Sequence, residues 1–310
     1  MPRFCIIIPS SNSAATLGEA VQSALDQDYA DYSVVVSDNA SSDGTAEIMS
    51  RFSHRRLRFL RHSAKVNKTE NWRRAYALAE DCDYLVNLHS DDRLDAACLQ
   101  ALTRWFGQRP ALLHGAFRRI SPLGEPRPGR ARFPLAHSTS GIAAKEILLL
   151  GNIVGVVGAA IRADAYAALG GWPERYSFFQ DIEMWYSLAG VGKIVYLPEV
   201  LGSYRDAPAT SSASAGNICE ALDWHGERAR LEPSVRLRRA ALRALGDHAT
   251  GAGDAIANLS VGERDRVLPA LAVARAILAE NRVPAFNRLF RQRWLRGRAA
   301  MAALITREFR

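Results

Sequence analysis

The chain has 310 residues, 48% of them hydrophobic, and a formal net charge of +8. That much apolar material supports a sizeable core and excludes disorder as the main state. The basic balance favours anionic partners: nucleic acid, acidic lipid or a phosphorylated substrate. The four cysteines, Cys5, Cys82, Cys98 and Cys219, are scattered with no CxxC pair. They argue against a zinc site or a disulfide framework and fit small buried thiols in a reducing, cytoplasmic setting.

The first run, "FCIII", is continuously apolar and ends at Pro9, as a fully buried parallel strand does. No charged segment leads a long apolar run there, so no secretory leader is expected. After a polar loop, Leu17, Ala20, Val21, Ala24 and Leu25 fall on one helical stripe, with Thr16 and Glu19 spaced as a capping box. "YSVVVS" predicts the second strand, "DNASSDGT" a loop, and Ile48, Met49 and Phe52 a short helix. "LRFL" predicts a third strand, and Trp72, Ala75, Tyr76 and Ala79 a further helical face. "DYLVNL" predicts a fourth strand that delivers Asp91 and Asp92; Leu99, Leu102 and Phe106 mark the next helix.

Strands alternating with helices predict an α/β fold, a mostly parallel sheet with helices on both faces. Ligands of such sheets sit outside the carboxyl ends of the strands, where Asn12, Asp38 and Asp91 are all expected.

The middle is less regular. "SPLGEPRPGRARFP" reads as a loop or flap, "GVVGAAIR" as a strand, and "ADAYAALGGW" as a helix stopped at Gly170 or Gly171. "SFFQDIEMWYSLAG" reads as a helix starting near Asp181, and "KIVYL" as a strand closed by Pro198. The most apolar stretch, Ile147 to Ile161, falls short of the roughly 20 residues a membrane span needs. From about Ala215 the texture turns to Ala, Leu and Arg at helical spacing, with Ser260 and Glu263 as a second capping box and Pro269 as a kink candidate. The expected division is 1–212 for a catalytic domain and 213–310 for a C-terminal helical region.

Four acids carry the chemistry. Asp91 and Asp92 read either as a turn with a helix cap, or as ligands of a hard divalent cation that would cancel their repulsion and clamp a diphosphate. Asp38 reads as an Asx-turn or as an acceptor for a nucleobase N–H or a ribose hydroxyl. Asp181, among aromatic residues, reads as a first-turn helix acid or as a general base in a partly desolvated site. GxSxG, the GxGxxG dinucleotide loop and the P-loop are all missing.

Four segments in order, "FCIIIPSSNSAATLGEAVQSALDQ", "VVVSDNASSDGT", "NKTENWRRAYALAEDCDYLVNLHSDD" and "GGWPERYSFFQDIEMWYSLAGVGKIVYLPEVLGSYR", resemble family 2 glycosyltransferases. The resemblance spans roughly residues 3 to 206. It implies a GT-A, Rossmann-like sheet and an inverting transfer from a nucleotide-diphosphate sugar to an acceptor hydroxyl, with Mg²⁺ or Mn²⁺ as cofactor. Residue by residue, it implies that Pro9 and Asn12 lie along the nucleotide and that Asp38 contacts the base. It further implies that Asp91 ligates the metal with Asp92 beside it, and that Asp181 is the catalytic base.

The chain departs from the family where His89 stands in place of the first acid of the metal motif. It departs again where "DAPATSS" lacks a histidine after Tyr204-Arg205. Arg205 or a loop arginine is the expected substitute in holding metal or diphosphate. The implied acceptor is a saccharide or lipid-linked saccharide of surface-glycan assembly.

A nucleotidyltransferase would show a Gly-rich basic loop in place of "SSNSAAT", and a non-catalytic nucleotide-sugar binder would lack Asp181. A nucleic-acid partner is not expected, since the arginines are not interleaved with aromatics along the sheet. In "FNRLFRQRWLRGRAAMAALITREF", arginines beside Phe290 and Trp294 read either as a packed surface helix or as peripheral contact with an anionic membrane.

Overall fold

The computed structural model describes residues 1–131, 137–206 and 214–281. The chain forms two compact units. The first comprises Met1–Gly141, Val154–Gln180 and Ser187–Asp206; the second gathers Ile142–Ile153, Asp181–Tyr186 and the described part of Ala207–Arg310. The division is therefore not a single cut in the sequence. The expected cut at 212/213 and the membrane candidate at 286–309 lie outside the described residues.

The first unit begins with β1 (Phe4–Ser10), α1 (Leu17–Leu25), β2 (Tyr32–Asp38), α2 (Thr45–Met49) and β3 (Leu57–Arg61). α3 (Lys68–Ala77), β4 (Tyr84–Asn87), β5 (Arg93–Leu94) and α4 (Cys98–Thr103) follow. β6 (Leu112–Ile120), β7 (Pro126–Ala131) and β8 (His137–Ser140) complete its first segment. After α5 (Gly141–Leu150) come β9 (Ala160–Arg162), α6 (Ala163–Ala168), α7 (Gln180–Val191) and β10 (Lys193–Arg205). One ten-stranded sheet results, in the order β3-β2-β1-β4-β9-β6-β10-β5, with β7 on β6 and β8 on β10.

β3, β2, β1, β4, β6 and β10 all run the same way, and short β9 bridges β4 and β6 antiparallel. β1 is buried along its whole length, as a central strand covered on both faces must be. It runs one residue past Pro9, whose missing N–H is harmless because pairing with β4 stops at Ile7. There the strands part and a crevice opens. The α1 stripe packs as predicted, with Leu17, Ala20, Val21 and Ala24 buried, and a buried Leu or Val side chain contributes about 1.5–3 kcal/mol.

Four expectations are corrected. Thr16 is the N-cap of α1 but forms no capping box: its backbone is not in the extended cap conformation, its N–H already donates to the Ser13 carbonyl (3.0 Å), and the Glu19 carboxylate pairs with Arg93 and Arg205 instead. The segment expected as a loop at 121–134 is, as far as it is described, a hairpin. Gly124 turns it at φ +87°, and Pro126–Ala131 pairs antiparallel with β6. Its prolines and arginines suit an edge strand. "GVVGAAIR" yields strand only at Ala160–Arg162, since left-handed Gly158 donates to the Asn87 carbonyl instead. β10 does not close at Pro198. It absorbs the proline with register shifts between Leu197 and Gly202 and continues to Arg205.

The second unit is helical: α8 (Ala215–Leu231), α9 (Val235–Ala255) and α10 (Val261–Glu280). Ser214, Ser234 and Ser260 each cap one of them through the side chain. The Ser260–Glu263 capping box forms as expected, and α10 runs on through Pro269. Within this unit Glu183 accepts from Trp224 Nε1 and pairs with Arg228. No helix among the described residues is long and apolar enough to cross a membrane.

Candidate functional site

The loops after β1 and β2 are knitted together by the "DNASSDGT" motif. Asn12 sits at φ +51°, a left-handed conformation that asparagine tolerates. Its N–H donates to Ser41 Oγ (2.7 Å) and its Oδ1 accepts from Ser42 N (3.0 Å). Ser13 N donates to Thr45 Oγ1 (3.1 Å) and Ala14 N to Asp43 Oδ2 (2.9 Å). The Thr45 hydroxyl and the Ala14 N–H hold the Asp43 carboxyl below its usual range. Next to this, the Asn39 amide makes two 2.8 Å hydrogen bonds with the Val66 backbone, so the Lys65–Lys68 segment is braced from β2. The Asn67 side chain then caps α3.

Together these loops and the one after β4 enclose a crevice of about 760 Å³ at the carboxyl ends of the strands. Pro9, Asn12, Lys65, Lys68, Trp72 and Asp91 are on its walls. The structure thus brings Pro9, Asn12 and Asp91 to one place, with Asp92 directly behind.

Asp38 is placed differently. It is fully buried, the Ser41 hydroxyl donates to its Oδ1, and Arg61 Nε lies 3.4 Å from its Oδ2. It is not on the crevice wall, and in this conformation its carboxylate braces its own turn. Asp181 belongs to the second unit, in the first turn of α7. There Asn152 Nδ2 donates to its Oδ2 at 2.9 Å and Ile182 N to its Oδ1 at 2.8 Å.

The Asp91–Asp92 loop is held by Arg205, which the extra length of β10 delivers. Arg205 N donates to Asp92 Oδ1 (2.8 Å) and Nε to the Asp91 carbonyl (2.6 Å). Nη1 reaches the Pro122 carbonyl (3.0 Å) and Nη2 the Glu19 carboxylate (2.6 Å). Only 6% of Arg205 is exposed. Its guanidinium is used up in fixing the loop and does not face the crevice, so Arg205 positions the acids instead of replacing the missing histidine.

Asp92 Oδ2 is buried and has no hydrogen-bond partner. Burial, reinforced by the neighbouring Asp91 charge, pushes this carboxyl well above the usual carboxylate range. His89 stands beside it, its ring meeting Trp72 edge-on at 5.1 Å, and burial draws the imidazole down to about 4. Near neutral pH it is an uncharged nitrogen donor. One ligand atom from each of His89, Asp91 and Asp92 lies within 4.8 Å of the other two. A divalent cation fits this donor set: it would satisfy the orphaned oxygen and favour the ionised acids.

Sequence reasoning missed the cradle from Asn39 to Lys68, the crevice face of Trp72 and the approach of His89 to Asp92. The run Lys65-Val66-Asn67-Lys68 before a helix cap was the one local signal available for the first.

The Glycosyl transferase family 2 profile matches residues 5–168. The chain belongs to this family. The uncharacterized protein MT1568 of Mycobacterium tuberculosis (strain CDC 1551 / Oshkosh) is 29% identical over 119 residues, which are 38% of this chain and 37% of that one. The chain therefore spans well under half of that curated relative.

Among solved structures, S. aureus TarS 1-349 in complex with UDP-GlcNAc superposes with a TM-score of 0.60 at 15% identity, covering 92% of this chain and 93% of that one. Mannosyltransferase PcManGT from Pyrobaculum calidifontis, in complex with GDP-Man and Mn²⁺, gives 0.58 at 18% identity over 99% and 87%. At these identities the likeness is one of fold, and the fold is of the GT-A glycosyltransferase type expected from the sequence.

Proposed function

We propose that this family member transfers a sugar from a nucleotide-diphosphate sugar to an acceptor hydroxyl, with inversion at the anomeric carbon. The observation that carries the reading is the orphaned Asp92 Oδ2, clustered with Asp91 and His89 at the edge of a strand-end crevice. Pro9 and Asn12 flank the nucleotide in this reading, and Lys65 and Lys68 add positive charge to the wall. Asp91 and Asp92 hold Mg²⁺ or Mn²⁺, which when bound neutralises charge on the departing diphosphate.

Asp181 is the general base. It takes the proton of the acceptor hydroxyl as that oxygen bonds to the anomeric carbon from the face opposite the leaving group. The bond from carbon to diphosphate oxygen breaks in the same step, so one carboxylate suffices. General-base help of this kind is typically worth ~10²–10⁴-fold. Asn152, donating to one oxygen of Asp181, would orient it. The UDP-GlcNAc and GDP-Man complexes of the structural relatives support a nucleotide-sugar donor. The family resemblance supports a saccharide or lipid-linked acceptor in surface-glycan assembly.

The test is a donor panel read by release of UDP, GDP or dTDP, with Mn²⁺ and with EDTA, followed by NMR of the product anomer. Inverted product and metal-dependent release are expected. Absence of release with every donor would remove the transferase reading, full activity in EDTA the metal role, and a retained anomer the single-base mechanism.

A further inference from the structure

We propose that His89 is a third protein ligand of the cation held by Asp91 and Asp92, and that its nitrogen tunes the site toward a transition-series ion such as Mn²⁺ and away from Mg²⁺. This rests on the metal reading above and takes it to the identity of the ion.

The sequence puts an imidazole where the family pattern often has a carboxylate, and the structure turns that imidazole onto the acid pair. His89 Nδ1 lies 3.6 Å from Asp92 Oδ2. That is too long for a hydrogen bond, which ends near ~3.2 Å. It is close to the separation of two donors on one shared cation, roughly 3.0–3.5 Å for bonds of about 2.1 Å.

Asp92 itself is 1% exposed. Its Oδ1 is taken by Arg205 N, so Oδ2 is left buried and unpartnered, facing the imidazole. A hydrogen-bonding role for His89 would have satisfied that oxygen; it stays unsatisfied. The Trp72 edge contact and the α3 helix behind it confine the ring. Arg205 confines the two acids through Asp91's carbonyl and Asp92's carboxylate. Both sides of the cluster are thus held before any ion arrives.

Donor chemistry then decides the ion. Mg²⁺ demands oxygen ligands in near-ideal octahedral geometry, whereas imidazole suits later, softer divalent ions. Replacing one oxygen by nitrogen therefore moves preference from Mg²⁺ toward the transition series, in which Mn²⁺ is the ion that also suits the two carboxylates.

The experiment uses the full chain titrated calorimetrically with MnCl₂ and with MgCl₂, alone and with UDP or GDP present. Pulsed EPR of the Mn²⁺-loaded protein then reads nitrogen coupling to the bound ion. Wild type is expected to show imidazole nitrogen modulation and to bind Mn²⁺ more tightly than Mg²⁺. His89→Asp should lose the modulation, keep Mn²⁺, and lower the Mn²⁺ to Mg²⁺ affinity ratio by about tenfold or more. The wild-type spectrum stands as a test by itself if the variant does not fold. Bound Mn²⁺ without nitrogen modulation, or an unchanged ratio in His89→Asp, overturns this proposal and leaves Asp91 and Asp92 as ligands. No binding of either ion under any condition overturns both readings.

Discussion

The ends of β2 and β4 carry the same signal in sequence, an apolar strand running into an acid, and the fold treats them in opposite ways. Asp38 and Asp92 are both buried. Every oxygen of Asp38 finds a donor in Ser41 or Arg61, whereas Asp92 keeps one oxygen without a partner. A satisfied buried acid stabilises a turn. An unsatisfied one costs about 1–3 kcal/mol and persists where a ligand compensates for it. The partners, not the residue type, separate an architectural acid from one placed for binding.

This contrast is open to breaking, most strongly at the crevice. Asp91→Asn is expected to lower turnover by about 10²–10³-fold while the melting temperature stays near that of wild type, because the side chain is on the wall and not in the core. Steady-state kinetics with thermal melting checks this; a variant that is active but unfolds early would make Asp91 structural.

Arg205→Met is next. Losing the Nε bond to the Asp91 carbonyl leaves the loop only the main-chain N–H on Asp92, and should weaken metal affinity by about 10–100-fold, as losses of groups that orient metal ligands do. It should also lower stability, since Glu19 and the Pro122 carbonyl lose a buried partner. Calorimetric metal titration of the variant decides it, and unchanged affinity would detach Arg205 from the site.

Asp38→Ala should behave in the reverse sense to Asp91→Asn. It strands the Ser41 hydroxyl and is expected to cost about 1–3 kcal/mol of stability in urea unfolding, with nucleotide affinity following only indirectly. Intact stability with lost UDP or GDP binding would return Asp38 to the direct base contact that the family resemblance implies.

The smallest effect concerns a buried polar group in the second unit. His225 lies between the Ala221 and Leu149 carbonyls (2.8 and 3.2 Å), with the His248 ring at 4.5 Å. Burial, with help from His248 and Arg228, draws it down to about 3. The folded state therefore binds fewer protons than the unfolded chain, whose histidine titrates near ~6.5. The stability linked to this group is complete above about 6.5 and is lost as pH falls toward 3. Melting curves at pH 7.5 and 5 should show the loss, and His225→Leu should lessen it, leaving the part due to His89, which burial also draws down. An equal drop in that variant would assign the acid sensitivity elsewhere.

Much of the chain was legible from local pattern alone. The run at Phe4–Pro9, the stripe from Leu17 to Ala24 and the Ser260–Glu263 box are set by periodicity and neighbouring residues, and each formed. Strand–helix alternation likewise carried the layered sheet, and the acids after β4 carried the place of the crevice, because open parallel sheets leave their ligand sites at strand carboxyl ends.

Other features depended on partners far along the chain. Glu19 left its cap for Arg205, 186 residues away. Arg205 reached Asp92 across 113 residues only because β10 bulged past Pro198 instead of ending there. The arginine-rich segment after Ser121 became an edge strand because β6 offered it a ladder. Whether Asp38, Asp92 or His89 binds, braces or coordinates follows from desolvation and from which donors fall within about 3 Å. Those quantities exist only once distant segments are packed together, so local pattern determined the elements and tertiary structure decided what the charged side chains do.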